Sequence, residues 1–166
     1  MNLVQPILNH AKIRPDAPAL VDGDREVRYA ELADLTLQTA SHLAALGVAP
    51  GDRIGLCLKD GWEHVVALLA VARMGAVAVP LHWRALHTES SQLATALSIK
   101  LALVELESTL GLDCAVIPMD ARWHRSVAER EPLSALPDDW HAPFVIAATS
   151  GTTGAPKFTL ATHLQF

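Results

Sequence analysis

Phe144-Val145-Ile146-Ala147-Ala148-Thr149-Ser150-Gly151-Thr152-Thr153-Gly154-Ala155-Pro156-Lys157-Phe158-Thr159-Leu160-Ala161-Thr162 reads as strand, loop, strand. Apolar runs on both sides enclose a bend built from glycine, hydroxyl residues and proline. Gly151 and Gly154 can take positive φ and let the backbone come close to a bulky anion. Successive amides in such a turn can point inward and form an anion-binding nest. Ser150, Thr152 and Thr153 add hydroxyl donors, and Pro156 stiffens the exit by fixing φ. Lys157 contributes a full positive charge. A unit-charge pair at about 4 Å is worth about 4 kcal/mol near a protein surface. The pattern is not the Walker loop, which needs Gly-Lys followed by Ser or Thr, because Lys157 follows Pro156 and precedes Phe158. A bare Gly-Thr-Thr-Gly would read as a surface turn. The flanking hydroxyls, the Pro-Lys ending and the two strands favour a polyphosphate loop.

Working outward, the remaining chain alternates strand and helix. Val4 to Ile13 reads as a short helix stopped by Pro15. Ala19 to Val21 and Arg25 to Tyr29 form a hairpin around Asp22-Gly23. Ala30 to Leu46 is an amphipathic helix with Leu32, Leu35, Leu43 and Leu46 as its apolar stripe and Gly47 as its C-cap. Arg53 to Leu58 is a mostly apolar strand, expected at the centre of a sheet. Asp60 is expected to cap a helix from Trp62 to Met74 that ends at Gly75. Strands follow at Ala76 to Val79, Leu101 to Val104 and Ala115 to Ile117. Helices are expected at Glu89 to Ile99, capped by Thr88, and at Arg122 to Arg130. Leu133 to Pro143 is a polar connection to the loop strand. This alternation predicts an α/β fold with a largely parallel sheet flanked by helices.

Composition excludes several classes. The chain of 166 residues holds 13 Lys plus Arg against 18 Asp plus Glu, a formal charge of −5. That balance offers no footprint for nucleic acid. The longest apolar stretch, Val65 to Leu81, is interrupted by Arg73, Gly75 and Pro80, so no membrane span is expected. Cys57 and Cys114 lie in or beside apolar runs and read as reduced, buried thiols. The start of the chain lacks signal-peptide features, and a cytoplasmic setting is expected. Of the eight histidines, His82 and His87 are close, but no second pair stands at a ligand spacing, so no metal site is expected. The four tryptophans read as packing residues.

Ser150 to Lys157 resembles the phosphate-loop signature of the acyl-adenylate-forming superfamily, which includes acyl-CoA synthetases, peptide-synthetase adenylation domains and luciferases. Thr162-His163 resembles the family's Thr-His beyond that lysine. Leu46-Gly47-Val48-Ala49-Pro50-Gly51-Asp52-Arg53-Ile54 and the segment from Leu69 to Leu81 resemble two further family segments, so the likeness runs from about Tyr29 to His163. One departure is Phe158, where the family usually has Gly.

The resemblance implies that the chain is the N-terminal portion of the large adenylate-forming domain. It implies that Thr149, Ser150, Gly151, Thr152, Thr153, Gly154 and Lys157 bind the phosphates of ATP. His163 is implied to reach the nucleotide or acyl pocket, with packing as the alternative. Activation of a small-molecule carboxylate by ATP and Mg²⁺, with coenzyme A as thiol acceptor, is the expected reaction. The family's later motifs and its C-terminal lysine domain do not occur among residues 1–166. The expectation is therefore a fragment, inactive alone and carrying no catalytic residue. A non-catalytic nucleotide- or anion-binding module, or a truncated paralogue acting through protein contacts, is the competing expectation. An exposed sheet edge at Phe158 to Thr162 is expected to favour self-association.

Overall fold

The computed structural model describes residues 2–82, 87–105, 112–133, 139, 141–149 and 157–165, without the side chains of 87, 89 and 149. The chain opens with α1 (Gln5–Ile13), where Pro6 occupies a first-turn position that needs no amide donor. A hairpin follows, β1 (Pro18–Asp22) with β2 (Arg25–Arg28). The pair Asp22↔Arg25 closes it over Gly23-Asp24, and Gly23 takes φ +57°. That left-handed geometry is what a tight two-residue turn demands.

The main layer then builds up as α2 (Tyr29–Ala45), β3 (Arg53–Cys57), α3 (Trp62–Arg73), β4 (Val77–Pro80), α4 (His87–Ala96), β5 (Leu101–Val104), β6 (Ala115–Pro118), α5 (Ala121–Ala128), β7 (Pro143–Thr149) and β8 (Lys157–Thr162). The six-stranded sheet runs β6-β5-β3-β4-β7-β8. Every neighbouring pair is parallel except β7 with β8, which are antiparallel. The expected central strand, β3, lies inside the sheet, and the expected parallel α/β architecture is present.

Side chains alternate across the sheet and divide the core in two. Ile54, Leu56, Leu101 and Leu103 pack with Leu43 of α2, Ala67 and Val71 of α3, and Trp123 and Val127 of α5. Cys57, Val79, Ala102 and Val104 pack on the other face with Ala94 of α4. A third cluster joins Val4, Val27 and Leu32 to Val66 and Leu69 of α3 and to Phe144 of β7. It anchors α1 and the first hairpin beside the strand that leads into the loop.

Gly55 marks the tightest approach in the sheet. It pairs with Val79 on one side and Ala102 on the other. A Cβ built there would lie 3.0 Å from Ala102 Cβ and 3.0 Å from Leu81 Cδ1. The absence of a side chain lets β3 and β5 sit at normal strand spacing under Leu81.

Three local expectations are corrected. Leu46 is 40% exposed, because the buried face of α2 runs through Leu32, Thr36, Ala40 and Leu43 instead. Asp60 does not cap α3. The Trp62 amide donates to Asp22 Oδ2 of the first hairpin at 3.2 Å, so a distant carboxylate replaces the local one. Thr88 lies inside α4 rather than before it. A cap not foreseen is Asp120, whose Oδ1 accepts the amides of Arg122 and Trp123 at 2.8 Å each. Those amides, Trp123's first, hold its carboxyl below the usual carboxylate range, with Arg122 and Arg125 adding charge. Among the described residues no helix is long and apolar enough to cross a membrane.

Candidate functional site

The loop hairpin is positioned by its register. Ile146 faces Leu160, Ala148 faces Phe158, and Thr149 faces Lys157 as the last pair. The strands therefore close on a seven-residue connection, residues 150–156. A connection this short forces the antiparallel return, because a parallel crossover needs a dozen or more residues. Ser150, Gly151, Thr152, Thr153, Gly154, Ala155 and Pro156 lie outside the described residues. What is described is the mouth: Thr149 at the end of β7 and Lys157 at the start of β8, directly opposite each other.

β7 is parallel to β4, and β4 to β3. Thr149 therefore lies at the carboxyl edge shared by the parallel strands. That edge is where open α/β sheets place their ligands. Lys157 is exposed there. Phe158 is 42% exposed and sits in ordinary ladder pairing. Among the described non-glycine residues only Ser98 has positive φ. The departure from glycine at Phe158 thus leaves the loop exit in extended backbone.

His163 is placed elsewhere. It follows β8 in a short 3-10 turn, His163–Gln165, about 20 Å of strand from Lys157 at roughly 3.3 Å per residue. It is only 2% exposed. Its ring stacks on Phe144 at 5.2 Å between centroids and 28° between planes. The Leu3 amide donates to its Nδ1 at 3.4 Å, and its own amide donates to Ala142 O at 3.3 Å. Asn2 extends the tie, donating through Nδ2 to Ala72 O at 2.6 Å and accepting the Val4 amide at 3.0 Å. The structure thus groups His163 with the N-terminal residues at the base of the hairpin and groups Thr149 with Lys157 at its mouth. Phe144 and Asn2 were not singled out by sequence reasoning. A phenylalanine opening a strand carries only a packing signal, and Asn2 acts across 70 positions.

The remaining candidates are quiet. Neither Cys57 nor Cys114 is in a disulfide among the described residues, and burial, with Asp113 beside it, pushes the Cys114 thiol up and away from nucleophilic thiolate. Among the described residues no three His, Cys, Asp or Glu side chains gather as a metal site. His87 has no described side chain.

The described site is thus a strand pair whose mouth carries Lys157, set at the carboxyl edge of a largely parallel sheet. The chain is a member of the AMP-binding enzyme family, whose profile matches residues 7–166. It is 32% identical over 177 aligned residues to indoleacetate–CoA ligase of Aromatoleum aromaticum, covering 96% of this chain and 34% of that protein. It is 28% identical over 168 residues to HC-toxin synthetase of Cochliobolus carbonum, covering 92% of this chain and 3% of that protein. Its fold is like that of the N-terminal subdomain of Klebsiella oxytoca NpsA, with TM-score 0.85 at 22% identity over 98% of this chain and 42% of that one. The chain spans about a third or less of the length of the curated relatives it matches.

Proposed function

We propose that this chain supplies the phosphate-gripping hairpin of an ATP-dependent carboxylate-activating ligase. The observation that carries the reading is the register that sets Lys157 against Thr149 over a Gly- and Thr-rich connection at the sheet's carboxyl edge. In the reaction a carboxylate oxygen attacks the α-phosphorus of ATP, the bond to the β-phosphate oxygen breaks, and pyrophosphate leaves from an acyl-adenylate. Negative charge grows on the departing pyrophosphate, and fixed donors stabilise it without reorganising. Amides from Ser150 to Gly154, the hydroxyls of Thr149, Ser150, Thr152 and Thr153, and the Lys157 ammonium are the proposed donors. They hold the β- and γ-phosphates and leave the α-phosphorus open to attack.

Residues 149–157 hold no carboxylate. Mg²⁺ usually takes one or two carboxylates besides phosphate oxygens, so these residues do not fit it as a protein-held ion, and no step is drawn through it. The acyl substrate is a small carboxylate, and coenzyme A is the proposed acceptor, as the name of the Aromatoleum relative suggests. We place the protein in the cytoplasm and take residues 1–166 as the N-terminal part of the ligase domain, able to bind nucleotide without turnover.

Calorimetric titration of the 166-residue chain with ATP, pyrophosphate and AMP tests this reading, together with pyrophosphate exchange over a carboxylate panel. ATP and pyrophosphate are expected to bind, AMP much more weakly, and exchange to be absent. Equal affinity for AMP and ATP, or robust exchange, contradicts it.

A further inference from the structure

His82 stands just past the end of β4, and the strand register carries it to the mouth of the loop hairpin. Leu56 pairs with Pro80, and the ladder runs one step further, the Leu81 amide donating to Leu56 O at 2.8 Å. On its other side β4 meets β7 with Ala78 opposite Val145. Counting on equally along the two parallel strands, His82 falls level with Thr149, the partner of Lys157. The faces agree as well. Val79 and Leu81 are buried on the α4 side of the sheet, so alternation turns His82 to the α3 side, where it is exposed. Ile146 packs on the α4 side and shares that face with its partner Leu160. Lys157, an odd number of positions before Leu160, therefore also turns to the α3 side. A second observation concerns the chain path. β3 and β4 are neighbours, yet the helices that follow them pack on opposite faces, α3 with Ile54 and Leu56 and α4 with Val79. Such a reversal opens a crevice at the strand ends, and His82 stands between that crevice and Lys157.

From this arrangement we infer that His82 is a further phosphate-binding residue, donating a ring N–H to one end of a diphosphate unit whose other end lies on Lys157. The inference rests on the function proposed for the hairpin. Spacing supports a shared ligand. Adjacent strands stand about 4.8 Å apart, so the backbones of His82 and Lys157 are separated by two such steps, roughly 10 Å. Long side chains turned to one face from both ends of that span converge on a diphosphate, whereas a lone phosphate meets only one of them. Direction supports it too. β8 is the edge strand among the described residues, so no further strand offers donors beyond Lys157, while His82 and the crevice lie on the inner side. The chemistry fits the role. An imidazole carries an N–H in either tautomer, and a hydrogen bond to a charged acceptor is about twice as strong as a neutral one. Residues 149–157 hold one cation, Lys157, in a chain of formal charge −5. A donor from a second, well-anchored strand spreads the grip over both phosphates and holds pyrophosphate in place as it separates from the acyl-adenylate.

The test is a titration of the chain, isotope-labelled at histidine, with pyrophosphate and with orthophosphate, following the His82 ring by NMR. Pyrophosphate is expected to shift that ring saturably. His82→Ala should weaken pyrophosphate binding roughly tenfold, the share of one hydrogen bond to a charged group, and leave orthophosphate, held on Lys157, nearly unchanged. His82→Lys restores a donor and should recover the pyrophosphate affinity, which a purely structural role for the imidazole would not allow. The side chain is exposed, so both variants are expected to fold. Equal pyrophosphate affinity in the wild type and His82→Ala overturns this inference and leaves the hairpin reading standing. A loss that His82→Lys does not restore, or a His82 ring that pyrophosphate does not shift, overturns it as well. Absence of pyrophosphate binding to the wild type overturns both.

Discussion

Replacing Gly55 by alanine probes the sheet at its tightest point. The added methyl would meet Ala102 Cβ and Leu81 Cδ1, each at 3.0 Å, whereas carbon atoms in good contact stand about 3.5–4.0 Å apart. Leu81 can rotate a little, but it is buried. Ala102 has no rotamer to change and belongs to the adjacent strand. Relief therefore requires β3 and β5 to part by several tenths of an ångström. Overpacking of this kind costs about 1–3 kcal/mol. Removing a glycine also stiffens the unfolded chain, which returns about 0.4–1 kcal/mol. The net expectation is a loss of about 1–2 kcal/mol, or a melting temperature lower by about 2–8 °C at this chain length. Urea unfolding should show a lower midpoint at unchanged slope. Because half of the clash is with one methyl, the double variant Gly55→Ala/Ala102→Gly should recover part of the loss through non-additive coupling. A Gly55→Ala protein as stable as the wild type, or a double variant that simply adds the two losses, would refute the packing argument.

Other outcomes follow from the same structure. Lys100 Nζ donates to Gly47 O and to Asp52 Oδ2 at 2.6 Å each. Burial works against ionisation of Asp52, yet Lys100 and the Ala49 amide hold its carboxyl below the ordinary value. A depressed folded pKa stabilises fully above the unfolded value of about 3.9 and is lost as pH falls through the folded one. Lys100→Met should therefore cost about 0.5–1 kcal/mol at pH 7, the scale of a half-exposed pair, and the difference from wild type should shrink in urea melts below about pH 4. Phe144→Ala removes a buried ring that contacts both α3 and His163, and it should destabilise by about 3–5 kcal/mol in the same assay. Phe158 and Leu160 (51% exposed) stand two residues apart on the free-edge strand β8. Sedimentation velocity should show concentration-dependent self-association that Phe158→Lys/Leu160→Lys suppresses, and a wild-type monomer at all concentrations would contradict it.

How much was legible in the sequence depended on how local the cause was. Gly23, Gly47 and Gly75 announced a hairpin and two helix ends, and all three take positive φ, because a backbone demand within one turn leaves a one-residue signature. The parallel sheet was legible from alternation alone. The Trp62 cap was not: Asp60 lies two positions away, but Asp22 arrives from the first hairpin, and no local pattern encodes that. Leu46 continued the helical spacing on paper, but α2 ends at Ala45, and the side chain falls past the helix's buried face. The loop was read as a phosphate site from its glycines, hydroxyls and lysine, and its residues 150–156 lie outside the described ones. Its framing by Thr149 and Lys157, and the separation of His163 from them, needed the strand register.

The central claim concerns residues 149–157, and pyrophosphate tests it most directly. Amide NMR of the chain titrated with pyrophosphate should show saturable shifts concentrated from Thr149 to Lys157 and weak ones at His163. Lys157→Ala should weaken binding about tenfold, the share of a surface-exposed charge pair that survives solvent screening. Shifts scattered over the surface, or an unchanged affinity in Lys157→Ala, would contradict the account.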